Sequence, residues 1–206
     1  MYFITQRVHK YALKALAVLS VAVVSAAAQQ TTLQLDPVKT SIQFTLDAAL
    51  HTVHGSFQAK PGELKFDPAS GALSGEITVD AKSGRTGNGM RDRKMHNDVL
   101  QSETYPEISF RPERITGAVA LQGKSSVKVR GAFRIHGTDR EIEVPAEVAM
   151  AADHWTADAH FTIPYAKWGM KNPSTLFLRV SDSVEVDLAA AGSVVPASGA
   201  SHGAAQ

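Results

Sequence analysis

The chain has 206 residues, with 21 Lys and Arg against 20 Asp and Glu, and no cysteine. The missing cysteine excludes thiol chemistry, disulfide staples and cysteine-based metal sites. The near-neutral charge gives no electrostatic ground for binding nucleic acid.

The N-terminus opens with Arg7, Lys10 and Lys14, followed by an apolar run from Ala15 to Val24 broken only by Ser20. Ala26, Ala27 and Ala28 then supply small residues of the kind a signal peptidase reads. The pattern predicts a signal peptide over 1–28, cleaved after Ala28, and a periplasmic or secreted mature protein. The apolar core is shorter than the roughly 20 residues of a helical membrane span, so no stable membrane insertion is expected after cleavage. No cysteine follows the cleavage point, which rules out a lipoprotein anchor. Losing three basic and no acidic residues takes the formal charge from +1 to −2.

Period-two alternation then dominates. Ile42, Phe44 and Leu46 alternate in "SIQFTL"; Val53, Gly55, Phe57 and Ala59 in "VHGSFQA"; Leu64 and Phe66 in "LKF". Leu73, Gly75, Ile77 and Val79 follow in "ALSGEITVD", and Ile108 and Phe110 in "EISF". Val127, Val129, Gly131, Phe133 and Ile135 come next, then Ile142, Val144, Ala146 and Val148. Trp155, Ala157, Ala159, Phe161 and Ile163 form another such run, and Val184, Val186 and Leu188 the last. Each run has one apolar and one polar face, as half-buried strands require. Eight or nine strands joined by short turns such as Asp67-Pro68 and His136-Gly137 predict an all-β antiparallel sandwich or barrel over 29–191. The small, polar stretch 192–206 reads as a disordered tail.

One segment breaks the alternation. From Met90 to Ser102, Met95, Val99 and Leu100 share a side at helical spacing, while Arg91, Lys94, Asp98 and Gln101 lie elsewhere on the wheel. Asn88 is placed to cap this short helix, Asp92 sits in its first turn, and Pro106 forces the exit into a strand.

Three chemistries compete for the histidines, serines and apolar positions. His51, His54, His96 and His136 offer donors for zinc or copper, although His51 and His54 would point to opposite faces of a regular strand. Nucleophilic catalysis lacks a G-x-S-x-G elbow, and "SGRTGNGMRD" lacks the strand–loop–helix setting of a phosphate loop. A closed barrel of about eight strands holds one ligand or is filled by its own side chains. Small residues at inward positions (Gly55, Ala59, Gly75, Gly131, Ala157, Ala159) fit the first; glycines that only mark bends fit the second.

The order "LDPVKTSIQFTL", "HTVHGSF", "GELKFDPASG", "GEITVDAKSGRTGNGMRDRKMHNDVLQSETYPEISF", "VRGAFRIHGTDREIEVPAEV" resembles the YceI-like family of secreted polyisoprenoid-binding proteins over roughly 32–188. The resemblance implies a lipocalin-like antiparallel β-barrel with one short helix near its mouth. It implies an interior that takes up a long isoprenoid chain such as that of a quinone, no enzymatic activity and no cofactor. Arg91 and Asp92 match the family's Arg-Asp pair, and Tyr105, Pro106 and Phe110 its Tyr-Pro and strand positions. "Gln-Ser-Glu-Thr" before Tyr105, and the extra histidine in "HTVHGSF", depart from the family pattern. The expected ligand-binding residues are Phe44, Phe57, Ile77, Val79, Met95, Leu100, Phe110, Phe133, Ile135, Phe161 and Trp168. Arg91, Asp92 and His96 are expected to meet a headgroup or anchor the helix, with anchoring the stronger expectation for Arg91 and Asp92. A histidine-dependent metal-binding barrel and a ligand-free structural or stress barrel stand as alternatives, and an edge strand offers a route to a homodimer.

Overall fold

A computed structural model describes residues 30–176 and 178–195. The signal peptide expected over 1–28 lies outside the described residues, as does the tail beyond Val195.

Ten strands form one antiparallel sheet: β1 (Thr31–Leu35), β2 (Ser41–Asp47), β3 (Thr52–Ala59), β4 (Gly62–Asp67), β5 (Ala72–Arg85), β6 (Glu107–Thr116), β7 (Gly123–Ile135), β8 (Thr138–Met150), β9 (His154–Ile163) and β10 (Val184–Val195). The sheet closes on itself. β5 through β10 run around the wall, and two short pairs fill the gap between β10 and β5 at different heights. Near the start of β10, β2 pairs with Glu185–Ala189 and hands on to β3. Near its end, β1 pairs with Gly192–Val195 and hands on to β4. Every level is therefore ringed by eight strands, and backbone groups along the wall are paired without an exposed sheet edge.

Two expectations need correction here. Gly192–Val195, expected in the disordered tail, is the last stretch of β10, because β1 supplies a ladder to pair with. β1 itself is a tenth strand that alternation does not reveal. Its "TTLQL" buries only Leu33 and Leu35.

The β1–β4 pair closes one end of the barrel. Leu33, Leu35, Leu64, Phe66 and Leu73 pack there against Met150, Trp155 and Ala190, and Phe66 retains 2% of its exposure. The other end is open and carries the irregular structure. β5 bulges strongly, with Asp80 opposite Gln58 but Arg85 opposite Ser56. The Ser83 hydroxyl fills the break, accepting from the Gln58 N–H at 2.8 Å and donating to the Asp80 carbonyl at 2.6 Å. Such a bulge turns the strand out of the sheet, and here it aims the chain into α1 (Gly89–Lys94), which continues as a single π-helical turn over Met95–Leu100. The Asn88 carboxamide caps α1 by accepting from the N–H groups of Met90 and Arg91, both at 3.1 Å. Gln101, in the left-handed region at φ 49°, ends the π turn.

Candidate functional site: an apolar cavity inside the barrel

The inward side chains do not meet at the centre. They line a cavity of about 590 Å³ that runs from the β1–β4 floor to the open end. The floor is Leu33, Leu64, Leu73 and Trp155; the walls include Phe44, Phe57, Ile77, Phe110, Phe133 and Phe161; Met95, Val99 and Leu100 form the roof. The roof residues stand on the helical segment with the spacing seen in the sequence. The π turn brings Val99 and Leu100 to the same side as Met95.

Small residues do open this space, though only some of those expected. Ala157 and Ala159 border the cavity, with Ala146 directly opposite Ala159 on β8. Ala59, Gly55, Gly75 and Gly131 do not. The place a Gly55 Cβ would take is filled by the Phe44 ring, and Gly75 and Gly131 lie close against the backbone carbonyls of Glu63 and Arg111. Gly75 also has φ +106°, which suits glycine alone. On β5, buried Gly84 leaves room for Met95, whose methyl would stand 2.8 Å from an added Cβ.

The opening is bordered by three segments. One is the β2–β3 turn, with Ala48 and His51. The second is the helix start, with Asn88, Met90, Arg91 and Lys94. The third is the 164–183 connection, with Pro173, Thr175, Leu178 and Val180. This connection is tied to the barrel. The Ala49 N–H donates to the Arg179 carbonyl at 2.9 Å, and the Ser181 N–H to the Asp47 carbonyl at 2.8 Å. The buried Tyr165 hydroxyl donates to the Ser181 carbonyl at 2.6 Å. Burial, with Asp182 nearby, pushes its pKa up to about 12. Lys94 Nζ reaches the Pro173 carbonyl at 3.0 Å, joining helix and connection across the mouth.

The charged cluster beside the cavity is a fastening. Arg91 donates through Nε to the Thr86 hydroxyl at 2.7 Å and through Nη2 to the Thr86 carbonyl at 2.9 Å. Asp92 accepts from the Thr86 N–H at 2.8 Å and from its hydroxyl at 2.5 Å. His96 bonds with both ring nitrogens, to the Gly84 carbonyl at 2.9 Å and to the Ser102 hydroxyl at 3.0 Å. A carbonyl only accepts, so Nε2 carries a proton and donates it to Gly84. Asp92 and His96 thus lie off the cavity, while Arg91 also borders its mouth. Arg91 and Lys94, expected away from the apolar side of the helix, stand at the rim because the helix start overhangs the opening.

Partial burial pushes the Asp92 carboxyl up, but the Thr86 hydrogen bonds and the neighbouring Arg91 outweigh it and hold it below the ordinary range. A carboxylate lowered in the folded state stabilises above its unfolded pKa and loses that contribution as pH falls through the folded value. Asp92→Ala is therefore expected to cost about 1 kcal/mol at neutral pH. Thermal melts of the two proteins should begin to draw together as pH falls below about 4, the unfolded carboxylate pKa, and meet only below the lowered folded value.

Ten of the eleven expected ligand-binding residues line the cavity: Phe44, Phe57, Ile77, Val79, Met95, Leu100, Phe110, Phe133, Ile135 and Phe161. Trp168 does not. It sits on the 164–183 connection, its ring 5.9 Å from Phe133 and covered by the Arg140 guanidinium at 5.5 Å. Sequence reasoning missed Trp155, Leu188 and Ala190 as lining, although alternation placed the first two on apolar faces. The histidines do not converge. His54 meets Thr45 at 3.1 Å, and the His136 ring lies tilted against Tyr105 with centroids 4.4 Å apart. Among the described residues no group of three or more His, Asp or Glu side chains is placed to hold a metal ion.

The family profile described as "YceI-like domain" matches residues 33–191, the whole of the barrel but its outermost edges. The chain belongs to the YceI-like family. Solved structures agree on the fold of this YceI-like domain. Burkholderia cenocepacia BcnA is 23% identical, with a TM-score of 0.63 over 77% of this chain and 99% of its own. A polyisoprenoid binding domain from Saccharophagus degradans, implicated in plant cell wall breakdown, is 16% identical, with a TM-score of 0.64 over 79% of this chain and 98% of its own. The Campylobacter jejuni YCEI protein is 20% identical, with a TM-score of 0.55 over 70% of this chain and 86% of its own. No curated protein matches the chain.

Proposed function

We propose that this YceI-like domain is an exported, non-enzymatic carrier that holds one long apolar molecule of the polyisoprenoid or isoprenoid-quinone type inside its barrel. The observation that carries the reading is the 590 Å³ cavity, walled almost wholly by apolar side chains and open at one end. Empty apolar space of this size forfeits packing contacts that a ligand restores. That volume lies within the roughly 300–1,000 Å³ of small-molecule sites. A long isoprenoid would leave its headgroup, with any remaining chain, at the mouth beside His51, Arg91 and Lys94. Phenyl rings, methionine and branched aliphatic groups suit a methyl-branched chain that must bend. The likeness to a polyisoprenoid binding domain supports this ligand class. The leader pattern at 1–28 supports export to the periplasm or beyond.

Trp155 lines the cavity floor, and Trp168 lies off the cavity. Titrating an isoprenoid quinone into delipidated protein should quench tryptophan emission saturably at one equivalent, and Trp168→Phe should leave the quenching in place. Emission that does not respond, or responds without saturating, counts against the carrier reading.

A further inference from the structure

Three exposed apolar side chains stand around the mouth, one on each of its bordering segments: Leu50 at 80% exposure, Met90 at 75% and Leu176 at 88%. Folding leaves large apolar groups in water singly and at random, so one on each rim segment points to a surface that meets something apolar. Charge follows the same geography. Arg85, Arg91, Arg93, Lys94, Lys171 and Arg179 lie on or beside these segments, against Asp47, Asp92, Asp98 and Asp182. Asp92 is turned in to Thr86, and Asp98 faces Lys171 at 3.7 Å. The mouth is thus locally cationic, although residues 29–206 carry a formal charge of −2.

We infer that the mouth docks on the surface of an anionic lipid bilayer, with Leu50, Met90 and Leu176 inserted at the acyl boundary and the surrounding cations against phosphate headgroups. Apolar groups that dip into an interface, ringed by Lys and Arg, are the ordinary means of reversible attachment to an anionic leaflet. Docked this way the opening faces the acyl region, so an apolar ligand passes between bilayer and cavity without crossing water. A protein partner would be met by charge-paired, directional contacts. This rim offers a loose triangle of flexible side chains with surplus positive charge, which fits a fluid anionic surface better. The inference rests on the carrier reading for its purpose only, and its test measures attachment to lipid rather than ligand uptake, so the two fail separately.

The test is flotation of delipidated protein with vesicles of phosphatidylcholine containing phosphatidylglycerol, and with vesicles of phosphatidylcholine alone. The native chain should float with the anionic vesicles, and raised salt should release it. Leu50→Ser/Met90→Ser/Leu176→Ser should lower the bound fraction at least about tenfold. Val38→Ser/Leu121→Ser, at exposed positions away from the mouth, should leave it unchanged. Arg93→Glu/Arg179→Glu should abolish the preference for phosphatidylglycerol, which keeps the test decisive if the triple variant melts early. The inference is overturned by native protein that ignores anionic vesicles or by a charge-reversed variant that still prefers them. Sedimentation showing that the same triple substitution dissolves a dimer would also overturn it, since the patch would then serve a second copy of the chain.

Discussion

Replacing Phe66 with alanine should destabilise the barrel more than any other single truncation, by about 3–5 kcal/mol. Among the described residues Phe66 is the most completely buried large side chain, at 2% exposure, in the plug where β1 and β4 close the barrel floor. It belongs to the cluster of Leu33, Leu64, Leu73 and Met150, on a strand paired at both edges with Thr31 and Leu73 as its neighbours, which limits how far the gap can close. For a domain of this size the loss corresponds to a fall in melting temperature of roughly 10–15 °C. Phe161→Ala provides the contrast. That ring already borders open space, so its removal enlarges a cavity instead of creating one, and should cost less than half as much. Melting curves of the two variants beside the native chain check both statements. Equal losses would mean that the cavity is filled by side chains in solution.

Filling the cavity should separate binding from folding. Ala146 and Ala159 face each other on β8 and β9, and both border the empty space. Ala146→Phe/Ala159→Phe puts two rings where the ligand would lie and displaces at least about 100 Å² of contact surface. That is about 2.5 kcal/mol of lost burial, or nearly two orders of magnitude in Kd for an isoprenoid quinone. Because the rings enter open space, the melting temperature of the delipidated protein should hold or rise. Calorimetric melts alongside the quenching titration give both numbers. A variant that binds as well as the native chain would place the ligand elsewhere.

Most of this cavity could be read from alternation. Ile77 with Val79, and Phe133 with Ile135, are two residues apart on strands, so their sharing an inner face follows from the two-residue period alone. Asn88 and Pro106 marked the helix start and the exit for equally local reasons. What stayed hidden depends on partners distant in the chain. β1 has two buried apolar residues, and the end of β10 reads "GSVV"; each is held as a strand by the other and by a second neighbour, β4 for β1 and β9 for β10. Trp168 lies in a segment with no period, so nothing in the sequence told which way its ring would face. The glycines misled for a related reason: a missing Cβ leaves room for whatever approaches, and at Gly55 that is the Phe44 ring. Arg91, Asp92 and His96 look reactive as a string of letters. In space Thr86, Gly84 and Ser102 account for their polar contacts.

That the barrel holds one long apolar chain is tested most directly by native mass spectrometry of the protein taken gently from its own cells. The account predicts a bound species at one copy per chain, with the mass of an isoprenoid lipid, that organic extraction removes and Ala146→Phe/Ala159→Phe excludes. Protein that emerges at the bare mass of its polypeptide, and stays there after incubation with isoprenoid quinone, would contradict it.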